Sequence, residues 1–349
     1  MNTDKKPIPY SYAFSFQEGM AHLIRKSGTG FINRNGELAA PCIYELAYSY
    51  SEGLAMVRKN GKCGFIDRSG NVVIPVEYDN ADSFSDGLAG VCKDGRWGFI
   101  DKQGKLVIPY IYDGINLFSE GLCGVFKNGK AGVTDKQGNE VIPFVYEDVT
   151  DFNSGIAYAC KDGYGGYIDT AGNVVIPFMY DCLTKGICKD GLICIAKDGK
   201  WGVLDRNGKE TVPFIYDGMA GEFSEGLAVV KQNGKEGCID TAGNIVIPFI
   251  YNSLHNFSEG LAAAKTGNNW GFINRDNKAV IPFVFESVYS FSEGLALVME
   301  KGRNACFLDK SGEAIIVLKR SYTVFDYAKM VFLGFAVAAL IFMLVRACI

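Results

Sequence analysis

Four sets of side chains in this sequence have chemistry worth testing: a comb of acids, two histidines, eleven cysteines and three tryptophans. The acids fall at Asp67, Asp101, Asp135, Asp169, Asp205, Asp240 and Asp309, with Asn33 and Asn274 in the same phase. A row of carboxylates at fixed spacing is a candidate for holding hard cations. Glycine follows three residues after eight of these nine, and Asn277 follows Asn274. Asp or Asn at the first position of a type I turn, with a residue tolerant of the left-handed region at the fourth, is turn chemistry, and that is the expected role.

The histidines, His22 and His255, stand at different phases far apart in the chain, so no nucleophile, base and orienter come together. The cysteines are scattered singly, without C-x-x-C spacing, and MNTDKKPIPY has no apolar signal region. They are expected to be mostly reduced, small core residues. No glycine-rich phosphate loop opens a helix. The sequence therefore predicts no catalytic, cofactor-binding or metal-binding residues, and a chain that is not an enzyme. A net charge of −4 offers no broad attraction to nucleic acid.

The elements that position these residues come from an internal repeat. Prolines at 41, 75, 109, 143, 177, 213, 248 and 282 are spaced by 34 to 36 residues. The glycine of the S-E-G-L phrase repeats nine times between residues 19 and 294 in step with them. The unit beginning FSDGLAGVCKDGRWGFIDKQGKLVIP parses into three strands: LAGVCK, a hairpin at Asp94-Gly95, RWGFID, a turn from Asp101 to Gly104, and KLVIP. The proline cannot donate a ladder hydrogen bond, so it marks a strand end or an edge. Aromatics recur in two registers, one from Tyr44 to Phe285 and one that includes Phe16, Tyr50, Phe84 and Phe291, and are expected to stack into a continuous core.

Each tryptophan, Trp97, Trp201 and Trp270, directly precedes a glycine. That glycine is present in eight of nine units, whereas the tryptophan position also holds Thr29, Cys63, Ala131, Gly165 and Glu236. The constraint thus lies on the glycine, as expected at a bulge or where another backbone or ring comes close, the next unit's aromatic ladder being the expected neighbour. The tryptophans themselves are the candidate contacts for a ligand or partner.

K-D-G-x-W-G-F-I-D-x-x-G, then V-I-P-x-x-Y and F-S-E-G-L, resembles the WG-repeat family, also called KWG repeats, over about 300 residues of the chain. The resemblance implies a β-rich repeat scaffold and carries over no catalytic residue. The expected fold is an all-β repeat protein, an open twisted array of nine three-stranded units, with a closed β-propeller-like ring as the alternative. Openness is expected because Ile8 to Tyr12 matches a third strand, while the ninth unit already has its own in EAIIVLKR. The expected organisation is a partial-repeat cap over 1–18, nine repeats over 19–320, a juxtamembrane linker over 321–329, a transmembrane helix over 330–346 and a short tail over 347–349.

Met330 to Val345 is uncharged over 16 residues between Lys329 and Arg346. As a helix it reaches roughly 24 Å, which snorkelling basic side chains extend toward a bilayer's width. More basic residues lie on the repeat side, so the expected arrangement is a C-terminal anchor with the repeats in the cytoplasm. The expected function is a non-catalytic scaffold that presents the repeats at a membrane surface to a protein partner. The alternative is a module for glycan or peptidoglycan that uses Trp97, Trp201 and Trp270 as stacking platforms.

Overall fold

The computed structural model describes residues 8–182, 187–189, 191–300 and 304–320. The segment expected to cross a membrane lies outside these residues. Among the described residues the chain is all strand and turn, and no helix is long and apolar enough to cross a membrane.

Each unit has four antiparallel strands in sequence order, one more than the three expected. The third unit comprises Asn80–Ser85, Leu88–Lys93, Arg96–Asp101 and Leu106–Tyr112. The extra, first strand comes from the stretch after the proline-bearing strand, and in several units it is only two residues long, as at Gly114–Ile115. Such a short strand leaves no alternating pattern to recognise. Its turn is nevertheless written in the sequence, because S-E-G-L is itself a tight hairpin. Glu52 and Gly53 both have positive φ, 54° and 87°, the pair of angles that two-residue hairpins need. The expected Asp94-Gly95 hairpin forms with φ of 53° and 75°.

Eight fourth strands share one irregularity. In the third unit Trp97 pairs with Tyr112 and Phe99 with Ile108, so two extra residues bulge from the fourth strand opposite Gly98. A Cβ on Gly98 would sit 2.6 Å from the Ile108 carbonyl oxygen. The same carbonyl, one residue before the proline, stands 2.5–2.9 Å from the equivalent Cβ position at Gly30, Gly64, Gly132, Gly166, Gly202, Gly237 and Gly271. The glycine therefore faces a bulge, as expected, but the crowding backbone is its own sheet's fourth strand and not the next unit's aromatic ladder. The ninth unit explains its own exception. It has Val317 in the proline phase, and Cys306 pairs directly with Val317 with no bulge between Ala305 and Phe307, so the Cys306 side chain has room.

Each sheet is open and none curls into a barrel. The series of sheets is joined end to end. Ile8–Tyr10 lies parallel to Ala314–Arg320 at the edge of the ninth unit, in register Ile8 with Leu318 and Tyr10 with Arg320. Ser51 Oγ donates to the Phe84 carbonyl at 2.7 Å, a link from one unit to the next repeated by Ser85, Ser119, Ser224 and Ser258. Ser292 makes the same bond to Phe16 at 2.6 Å, from the ninth unit to the first. The open array with a separate N-terminal cap is corrected on this point, and the end contacts are those of the ring alternative. The inference from strand counting failed because the ninth unit keeps its own fourth strand and adds the N-terminal one outside it. Proline and a bulge blunt the other eight edges, whereas the ninth is regular enough to accept a partner strand.

The core runs between sheets. Phe65 meets Phe84 of the next unit edge to face at 4.9 Å, Phe99 meets Phe118 at 4.8 Å, and Phe272 meets Phe291 at 4.9 Å. Phe307 meets Phe16 at 4.8 Å in the same geometry. Both expected aromatic registers are buried. A single cluster holds Tyr10, Ala13 and Phe16 together with Leu297, Phe307 and Leu318.

Candidate interaction surfaces

The acid comb builds turns in every unit. Asp67 Oδ1 accepts the backbone N–H groups of Ser69 and Asn71, each at 2.9 Å. The same pair of bonds occurs at the other eight positions, including Asn33 and Asn274. The Asp67 carboxyl is held below its ordinary value of 3.8, first by the Asn71 side-chain amide and then by backbone N–H groups. Asp169, Asp240 and Asp309 are lowered in the same way, with Asn173, Asn244 and Ser311 as first causes.

Because these folded-state values are depressed, the stability they contribute is complete well above 3.8 and is lost as pH falls below it. Asp67→Ala is expected to cost about 1 kcal/mol at neutral pH. Asp67→Asn, which keeps the accepting oxygen as Asn33 and Asn274 do, is expected to cost less and to flatten the acid limb. Urea midpoints of the three proteins between neutral pH and acid check both points.

A second row of acids ties one unit to the next. Glu18 accepts the backbone N–H groups of Glu52 at 2.7 Å and Gly53 at 2.9 Å, while Arg68 donates to Glu18 at 2.8 Å. Glu52 bonds Gly87 N and pairs with Lys102 at 3.0 Å. Glu259 bonds Gly294 N and pairs with Lys310 at 3.1 Å. Glu293 closes the row on Gly19 N at 2.9 Å and Arg34 at 2.8 Å. The sequence signal for this row is the near-constant offset between several S-E-G-L acids and the basic residue after the next unit's turn aspartate, as in Glu18 with Arg68 and Glu52 with Lys102.

The three tryptophans do not converge. They occupy the third strands of the third, sixth and eighth units, and each is half-buried against its own inter-sheet cluster. Trp270 also meets His255 at 4.7 Å between ring centres and has the Lys265 ammonium 5.7 Å from its ring. His22 stacks on Phe31 at 4.9 Å and lies 5.3 Å from Phe14, which in turn approaches Tyr289 of the ninth unit at 6.4 Å. Burial lowers the pKa of His22 to about 4 and also lowers that of His255, so both rings are neutral at pH 7. Each histidine packs in its own aromatic nest.

Among the described residues seven cysteines outside the disulfide are buried, and burial raises the Cys238 and Cys306 thiols to about 12, which suits inert core residues. Cys160 and Cys182 form a disulfide, an exception to the expected reduced state.

The most extended feature of the surface is apolar. Fourth strands expose aliphatic side chains on both sides of the proline phase, among them Val72, Val73, Leu106, Val107, Ile245 and Ile250. Ile245 is 60% exposed and Val72 54%. Equivalent exposure recurs at Leu38, Val174 and Val284, so the comb follows the outer edges from unit to unit.

The fold has counterparts among solved structures. The crystal structure of a eukaryotic initiation factor superposes with a TM-score of 0.61 at 12% identity, covering 87% of this chain and 96% of that one. BamB from Moraxella catarrhalis gives 0.47 at 16% identity over 79% of this chain and 93% of that one. The computationally designed Ika8 protein gives 0.47 at 14% identity over 80% and 98%. No curated protein matches the sequence. The family description "WG containing repeat" matches eight successive segments, 30–63, 64–97, 97–130, 132–164, 166–201, 201–235, 237–270 and 270–303. With most of its length matched by that repeat, and the repeat's glycine explained by the bulge it faces, the chain belongs to the WG-repeat family.

Proposed function

We propose that this protein is a non-catalytic interaction scaffold that offers its apolar outer edges to a protein partner, with Met330 to Val345 anchoring it so that the repeats face the cytoplasm. The observation that carries the reading is the comb of exposed aliphatic side chains on successive fourth strands. Repeated exposure of this kind is the usual mark of a binding surface, and the proline and bulge on each edge keep it from capturing a foreign strand. The tryptophans are spread over three units and packed against core clusters, which supports a packing role for them over a shared glycan platform.

Two measurements test the reading. Removal of residues 330–349 is expected to move the protein from the membrane fraction to the soluble one, and continued sedimentation with membranes refutes the anchor. Val73→Lys with Val107→Lys, at two exposed sites, is expected to leave the denaturation midpoint nearly unchanged and to remove the main neighbour found by proximity labelling in the native cell. Unchanged labelling refutes the rim as the docking surface.

A further inference from the structure

We propose that Glu147, Cys160 and Cys182 form a redox-gated binding site for a thiophilic divalent cation of the zinc class, available when the disulfide is reduced. The three donor atoms lie within 4.8 Å of one another. Backbone pairing fixes two of them, since Glu147 N donates to the Cys160 carbonyl at 2.8 Å. The Tyr158 hydroxyl holds the chain at the third by donating to the Asp181 and Cys182 carbonyls at 3.3 and 3.1 Å. Cys160 is buried, Cys182 half-buried and Glu147 exposed, so the cluster is enclosed on one side and open to solvent on the other.

Comparison with the other units shows what is missing here. The acid after the proline-strand tyrosine normally faces a basic residue at the start of the third strand: Asp79 pairs with Lys62, Asp113 with Arg96 and Asp217 with Lys200. The residue at that offset from Glu147 is Lys130, at the start of the fourth unit's third strand, yet among the described residues no ion pair joins the two, and the Glu147 carboxylate accepts the Gly163 N–H at 3.2 Å. Two sulfurs stand beside the carboxylate instead. The tryptophan position of the fifth unit is Gly165, paired in register with Cys160, and a Cβ there would collide with Tyr158, so this unit leaves vacant a position that carries a side chain in the others.

A second observation concerns protonation. Cys160 Sγ lies 3.3 Å from Glu147 Oε2. A disulfide sulfur has no proton to donate, so this approach is a hydrogen bond only in the dithiol form. Tetrahedral zinc with two thiolates and one carboxylate places sulfur and oxygen roughly 3.6 Å apart and the sulfurs roughly 3.8 Å apart. The sulfur and oxygen are thus already near ligand spacing, and reduction frees the two sulfurs to separate. Two thiolates select a soft or borderline cation over calcium or magnesium, and a fourth position remains open to water or a partner's side chain. Reduction by a phosphine balances: phosphorus gains the oxygen of one water, the sulfur–sulfur bond accepts two electrons, and the water's two protons end on the thiols. Cation binding then displaces those two protons.

The full-length chain in detergent, reduced with a phosphine and titrated with cobalt(II), tests the site. One cobalt per chain is expected, with a sulfur-to-cobalt charge-transfer band that zinc(II) abolishes. The band is expected to be absent from the oxidised chain and from the Cys160→Ser, Cys182→Ser double variant. Glu147→Gln, a surface change that leaves both sulfurs in place, is expected to weaken cobalt binding by about tenfold or more. The proposal is overturned if the reduced wild type shows no band, if the double-serine variant or the oxidised chain keeps it, or if Glu147→Gln binds as wild type.

Discussion

Phe16→Ala is expected to destabilise the protein by about 3–5 kcal/mol, as much as Phe84→Ala in the middle of the chain. Phe84 is fully buried between two sheets, edge to face with Phe65 at 4.9 Å. Phe16 is equally buried, but its partner is Phe307, at the opposite end of the sequence, 4.8 Å away. In an array with separate ends, Phe16 would pack on one side only and its removal would cost a fraction of the interior value. Equal losses in urea midpoint for the two variants confirm that the first and ninth units form an ordinary inter-sheet junction. A much smaller loss for Phe16→Ala refutes it. The same junction is joined by the Ser292 bond to Phe16 and by the clasp of Glu293 on Gly19 and Arg34, so Phe16 is the central contact in a junction of several parts.

Gly64→Val is expected to cost about 3 kcal/mol or more, well beyond a change at the neighbouring tryptophan phase. Its Cβ would stand 2.7 Å from the Ile74 carbonyl oxygen, the Pro75 carbonyl oxygen and the Val76 Cα, all of them backbone. No rotamer relieves a contact with backbone, so the bulged strand must move and its packing with it. Trp97→Phe alters a half-buried ring that keeps its neighbours, and is expected to cost under about 1.5 kcal/mol. Thermal and urea unfolding of the two variants check the ordering. A Gly64→Val protein as stable as Trp97→Phe would show that the bulge yields easily and that the glycine is kept for another reason.

The position of the two words in the family motif is thereby separated. Glycine is demanded by a backbone carbonyl in eight units, and the ninth unit, without proline or bulge, tolerates Cys306. Tryptophan fills space where the sheet allows it, and Gly165 shows that a unit can use the vacant position differently. The cysteine pair of the fifth unit was not readable from the sequence, because residue 160 lies in the unit's second strand and residue 182 just beyond its fourth, with no short spacing between them. Only the return of the fourth strand brings them together.

Local rules fixed much of this protein without any tertiary information. The repeat period, the hairpins at Asp94-Gly95 and its equivalents, the turn role of the nine acid positions and the burial of both aromatic registers all follow from interactions within a few residues or from strict periodicity. What depended on distant residues was decided by the fold. The first strand of each unit, sometimes two residues long, exists because a neighbouring strand is there to pair with it. The meeting of Ile8–Tyr10 with Ala314–Arg320 depends on the summed rotation of nine units, a geometric quantity that no single repeat contains. A repeat sequence states how one unit contacts the next, and whether the last then reaches the first is settled only when all nine are in place.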